Sequence, residues 1–140
     1  MTRRAGKWLA VALVLPLAFA GWAGFAPIEL PSREALFEIP HGTYARRMSG
    51  NQVDILPSTI TLTLGIDDVL LLRNLDEVPQ QFGPTILMPG QSFRLPFEVP
   101  SENLFDCTAH SSGQMKVIVE PEPVWPWQKM RWRLRRWLNS

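Results

Sequence analysis

Cys107, His110 and Met115 are the residues of this 140-residue chain whose types and spacing best suit chemistry. They lie in one stretch, Phe105 to Val119, and Cys107 is the only cysteine. A thiolate, an imidazole and a thioether are the soft donors that select copper, and a trigonal set with a weak axial Met suits copper electron transfer. The spacing fits one centre. A strand ending at Cys107 turns through Thr108 and Ala109 so that His110 faces the same point, and a loop closed by Gly113 brings Met115 in from one side. A Cys–His pair also suggests a nucleophile with its base, but such a base needs a third group to orient it. Asp106, next to Cys107, points to the opposite face of the strand. No zinc, phosphate-loop or Ser-His-Asp motif appears, and the chain does not read as an enzyme.

Strands must position this loop. Thirteen prolines and nine glycines punctuate short apolar runs, which argues for many strands and turns over a helical bundle. Ala35–Ile39 reads as a first strand, ended by Pro40 and a turn at His41-Gly42, where His41 is solvent-exposed. The run from Thr43 to Gln52 is ambiguous. Thr59–Leu64 alternates strictly and is a half-buried strand, while the continuous apolar run Val69–Arg73 suits a central one. An extended stretch from Gln81 to Met88 is followed by a turn at Pro89-Gly90. Gln91–Glu98 puts Phe93, Leu95 and Phe97 on one face. Leu104–Cys107 and Met115–Val119 flank the ligand loop. About seven short strands with turn signals at this spacing indicate an all-β sandwich. One cysteine excludes an internal disulfide and a four-cysteine metal cage.

The loop Cys107-x2-His110-x4-Met115 resembles the ligand loop of the cupredoxins, the blue-copper family. The resemblance covers the run from Leu56 to Val119: an alternating strand, Gly65-Ile66-Asp67-Asp68-Val69-Leu70, an Asn74-Leu75-Asp76 loop, Pro89-Gly90-Gln91-Ser92-Phe93, and then the Cys-His-Met loop before a closing strand. It implies a cupredoxin-like Greek-key β-sandwich with copper as cofactor. Such a site takes a second histidine from the loop after the Asn-containing strand, commonly just after a proline. Here the residue after Pro79 is Gln80, with Gln81 next to it. Gln80 is therefore the expected fourth position, and a glutamine oxygen is a harder, weaker donor than imidazole.

Charge divides the chain in three. All thirteen acidic residues lie between Glu29 and Glu122, with only six basic ones, a net charge of about −7. Arg3, Arg4 and Lys7 precede this span, and Lys129, Arg131, Arg133, Arg135 and Arg136 follow it. Two basic ends around an acidic middle read as membrane attachment, and the acidic middle would repel nucleic acid. Trp8 to Ala26 holds no charge, and nineteen helical residues reach roughly 28 Å, enough to cross a hydrocarbon core. The positive residues before it place Met1 in the cytoplasm and everything after Pro27 outside. Two readings stand: a signal peptide ending at Ala18-Phe19-Ala20, or a retained anchor with Trp22 and Phe25 at its outer end. At the other terminus Trp127–Leu138 reads as an amphipathic helix. Trp127, Met130, Leu134, Trp137 and Leu138 gather on one arc, with basic residues opposite, the profile of an interfacial membrane helix.

The expected organisation is a signal anchor or signal peptide over 1–27, a linker over 28–34, a cupredoxin-like domain over 35–122, and a basic, Trp-rich tail over 123–140. The expected function is a single-pass membrane protein with its domain outside the cytoplasm, binding copper for electron transfer or copper handling, beside a membrane redox complex or electron-transfer protein. The other reading is a metal-free cupredoxin-fold accessory subunit of such a complex.

Overall fold

A computed structural model describes the chain at residues 2–51 and 54–138, with side chains from position 14 onward. Two compact units emerge: Leu30–Glu122, and a discontinuous one made of Met1–Glu29 with Pro123–Ser140. The first is mostly β. Its strands are β1 (Glu34–Ile39), β2 (Thr59–Thr63), β3 (Val69–Asn74), β4 (Gln80–Phe82), β5 (Thr85–Leu87), β6 (Ser92–Pro96), β7 (Ser101–Asp106) and β8 (Gln114–Glu120). Among the described residues three sheets form, with orders β1-β3-β6, β2-β8-β7 and β4-β5. β1 runs parallel to β3, and β2 parallel to β8, while β3–β6 and β7–β8 are antiparallel.

Both three-stranded sheets bury one face into the same core. Ile39, Leu70 and Leu72 come from the first sheet and Ile60, Leu62, Val117 and Val119 from the second, in a single cluster. Sheets that share a core face to face are a β-sandwich. The parallel pairs follow from this: the chain leaves β1 for β2 across the core before returning at β3, the kind of crossover a parallel pair requires. The run from Val69 is indeed the middle strand of its sheet, and Leu70 and Leu72 are fully buried.

Two segments depart from the sequence reading. Gln81 to Met88 is not one extended stretch. It folds back at Gly83, whose φ of 54° leaves the extended region, and becomes the β4–β5 hairpin. Gly83 also has no room for a side chain, since a Cβ there would sit 3.0 Å from a ring carbon of Phe105. The ambiguous run after Gly42 begins with a short helix, α2 (Thr43–Met48). It has no acidic residue in its first turn. The carboxylate of Asp76 accepts the Gly42 and Tyr44 amides at its start, each at 2.9 Å. His41 is exposed in the turn before it.

Asp68 closes the turn between β2 and β3. Its carboxylate accepts Nε of Arg33 at 2.9 Å and the Gly65 amide at 2.9 Å. Burial opposes ionisation of Asp68, but these donors outweigh it and hold its pKa below the ordinary carboxylate value.

The second unit holds α1 (Thr2–Phe25) and α3 (Pro126–Leu138). Gln128 caps the start of α3: its Oε1 accepts the amides of Val124 and Trp125, both at 3.0 Å. Pro126 at the first helical position needs no partner for a missing N–H. Among the described residues no helix is long and apolar enough to cross a membrane. Residues 8–13 of the uncharged run have no described side chains.

Truncating the central strand tests this account of the core. Leu72→Ala should lower unfolding stability by about 2–5 kcal/mol through lost burial and a cavity. Urea titration would read this as a lower midpoint at unchanged slope.

Candidate metal centre

The ligand loop is the connection between β7 and β8, and the strand register fixes what it can present. Phe105 pairs with Met115 and Asp106 with Gln114, and the Cys107 amide then donates to the Gly113 carbonyl at 2.8 Å. Residues two apart share a face, so Phe105 and Cys107 point inward, and Met115 opposite Phe105 points inward with them. Cys107 and Met115 are both fully buried diagonal neighbours on that face. The turn closes at Gly113, whose φ of 74° is left-handed, and its amide donates to the His110 carbonyl at 3.1 Å. Asp106 is exposed, on the face opposite Cys107.

Burial pushes the Cys107 thiol above its ordinary pKa, while the nearby backbone amides of Ala109 and His110 work in the other direction. Those amides are the groups that would stabilise a thiolate if a cation arrived. His110 is 1% exposed. Its Nε2 lies 3.1 Å from the Pro57 carbonyl, and because a carbonyl only accepts, Nε2 carries the proton. Nδ1 is the ring nitrogen left uncommitted. It is buried without a hydrogen-bond partner, and Asp54 Oδ1 stands 3.5 Å away at ion-pair distance but outside hydrogen-bond geometry. Asp54 itself is held below the ordinary carboxylate pKa, first by the Ser111 amide and then, against some burial, by the Ser111 hydroxyl and His110. A buried ring nitrogen without a hydrogen-bond partner, 3.5 Å from a carboxylate, is a place suited to a cation, a proton included.

Gln80 occupies the position expected from the resemblance, facing inward and 2% exposed, while Gln81 is exposed. Its amide is engaged at both ends. Nε2 donates to Asp76 Oδ2 at 3.0 Å, and Oε1 accepts the Thr108 hydroxyl at 2.7 Å. The orientation is unambiguous, since a carboxylate can only accept and Thr108 Oγ1 already accepts the Gln81 amide at 2.9 Å. This chain ties the β3–β4 loop to the residue after Cys107. A bridge between Phe82 and Cys107 and the stacked rings of Phe82 and Phe105, 4.8 Å apart, hold the same two segments together.

The structure thus brings Cys107, His110 and Met115 to one loop, and gives Gln80 a strut's role at its wall. Among the described residues no three His, Cys, Asp or Glu side chains gather as a metal site. Sequence reasoning missed Asp54, the Pro57 carbonyl and the two ends of the Gln80 strut. No local pattern marks Asp54, the Pro57 carbonyl or the Thr108 end of the strut, because each acts across 28 residues or more, while Asp76 lies four residues before Gln80.

Asp76 anchors the strut, and its titration is testable. Burial opposes its charge, but the amides of Tyr44, Glu77 and Gly42 and the Gln80 side chain outweigh this and depress its pKa. A depressed folded-state pKa gives stability that is present above the unfolded value of about 3.9 and lost as pH falls through the folded one. Asp76→Asn should therefore be less stable than the parent at pH 7, with the gap narrowing below about pH 4. Urea titrations across pH would check this.

No family model and no curated protein matches the chain. Among solved structures it is similar to a purple cupredoxin from Nitrosopumilus maritimus, with 20% identity and a TM-score of 0.44 over 61% of this chain and 99% of that one. A mutant of amicyanin with Cu(I) matches at 14% identity and a TM-score of 0.44, over 66% of this chain and 87% of that one. A chain of a heme-copper terminal oxidase dimer matches at 18% identity and a TM-score of 0.36, over 86% of this chain and all of that one. At such identities and scores, the sandwich rests on its own strand order and shared core.

Proposed function

We propose that this chain is a membrane-anchored cupredoxin-type module whose β-domain binds Cu(I) through Cys107, His110 and Met115 for copper handling. The observation that carries the reading is His110, buried, with Nε2 committed to the Pro57 carbonyl and Nδ1 left without a partner. A ring nitrogen fixed in this way by a carbonyl on its far side is the usual second-shell arrangement of a ligating histidine. Two fully buried sulfurs on the same loop complete a soft donor set, and soft donors select Cu(I). Gln80 is assigned as a structural strut and not as a ligand, since both ends of its amide are used. With one imidazole in place of two, the set favours the reduced ion, which supports handling over reversible electron transfer. The module binds and does not catalyse.

Anchoring rests on the sequence: nineteen uncharged residues after Arg3, Arg4 and Lys7, within a 24-residue helix. In this reading α1 is retained, and the β-domain stands on the outer side.

The competing reading, a metal-free accessory subunit, draws on the Gln80 strut, which fills the place of the second imidazole. Competition against a chromophoric Cu(I) chelator separates the two. The parent should take up one Cu(I), Cys107→Ser should take up none, and Gln80→Ala should still bind while losing about 1–3 kcal/mol of stability from two buried groups left unpaired. A parent that leaves Cu(I) with the chelator, unchanged by Cys107→Ser, would sink the copper reading. With Cu(II), Gln80→His should add an intense thiolate-to-copper absorption band that the parent lacks.

A further inference from the structure

Helix α3 meets α1 through Arg133. Its guanidinium donates to the carbonyls of Ala23, Ala26 and Pro27, the latter two at 2.7 and 3.0 Å. It also lies over the Trp22 ring, 5.6 Å from the centroid. The last turn of α1 has no basic residue of its own, so Arg133 satisfies free carbonyls and meets the negative end of the helix dipole. Gly24 makes the approach possible: a Cβ there would sit 3.1 Å from Pro126 Cβ. The start and middle of α3 are thereby fixed at the C-terminal end of α1.

This leaves the other side of α3 uncovered. Trp127, Met130, Leu134, Trp137 and Leu138 are between 43% and 73% exposed, and no residue of the helix is buried. Trp22, Phe25 and Trp125 of the same unit are exposed as well. The helix carries Lys129, Arg131, Arg133, Arg135 and Arg136 and no acidic residue. Arg131 and Arg136 lie over Trp127 and Trp132, at 5.9 and 5.3 Å. An exposed apolar arc, several indoles and five basic residues on one helix are together complementary to an acidic lipid surface, which offers headgroup anions and an acyl boundary at one depth.

We infer that α3 is an interfacial helix, clamped by Arg133 to the outer end of α1, that binds anionic phospholipid. Its apolar arc enters the acyl boundary, and Lys129, Arg131, Arg135 and Arg136 stay at headgroup level. The placement rests on the anchor reading, because Arg133 sets the depth of α3 by that of α1's end.

The test uses the full chain with Leu134→Cys, labelled there with an environment-sensitive NBD dye. Cys107 is buried with a raised thiol pKa and stays unlabelled. The protein is reconstituted in vesicles of phosphatidylcholine alone or with added phosphatidylglycerol. The dye should brighten, shift to the blue and be quenched by nitroxide on the acyl chains when phosphatidylglycerol is present, and salt should reverse this. Replacing Lys129, Arg131, Arg135 and Arg136 by Gln should lower the inserted population about fivefold per charge removed. Insertion that is equal in both lipids overturns the proposal. So does the absence of insertion in either, which would leave a protein partner to cover the arc. Alkaline carbonate extraction reports on α1 separately. If the chain is extracted while insertion still follows phosphatidylglycerol, the anchor reading fails and the lipid preference of α3 stands.

Discussion

The carboxylate of Asp76 is the interaction on which the site side of the β-domain depends. It is 2% exposed, and a buried anion persists only when its lone pairs are taken up. Oδ1 accepts the amides of Gly42 and Glu77, and Oδ2 accepts the amide of Tyr44 and the side chain of Gln80. Meeting that demand draws the start of α2 and the head of β4 to one point. Asn74, fully buried at the end of the central strand, sets the stage: its Oδ1 accepts the Asp76 amide and its Nδ2 donates to the carbonyls of Val78 and Leu87. The loop that carries Gln80 is thus over-determined by buried polar groups.

This network explains what glutamine does where the resemblance leads one to expect histidine. An amide has a donor end and an acceptor end, so Gln80 can bridge a carboxylate and a hydroxyl in one chain from Asp76 to Thr108. A neutral imidazole offers one donor and one acceptor as well, but coordinating a metal would use the acceptor. Gln80 instead spends that acceptor on Thr108, the neighbour of Cys107. The residue that could have completed a site now fastens its wall.

How much of this the sequence discloses depends on the range over which each force acts. Alternation along Thr59–Leu64 and the apolar run at Val69 depend on neighbours one or two residues away, and both strands form where the pattern puts them. The amphipathic stretch from Trp127 is equally local, and it is a helix. The hairpin break at Gly83 was hidden because the close approach of Phe105, 22 positions on, is a tertiary fact. Helix α2 was ambiguous for the same reason, as its first amides are satisfied by a carboxylate more than 30 residues away. The strands flanking Cys107 and His110, the second of which carries Met115, were legible in the same way as β2 and β3. The state of the His110 ring was not, because it turns on a carbonyl 53 residues earlier.

The asymmetry of the donor set then constrains function. An electron carrier must hold oxidised and reduced copper in nearly one geometry, which calls for donors that serve both states. Cys107, Met115 and one imidazole serve the soft, reduced ion well. Recruiting Gln80 for the oxidised ion would break its bond to Thr108 or crowd a carbonyl already in use, and each buried group left unpaired costs about 1–3 kcal/mol. In the proposed copper site the strut would therefore bias the loop toward one oxidation state. A site with that bias can exchange an ion more readily than an electron, and the buried thiol, with its raised pKa, would release a proton as the ion enters. Copper uptake as proposed for this loop would then be coupled to pH, weakening as the medium becomes more acidic.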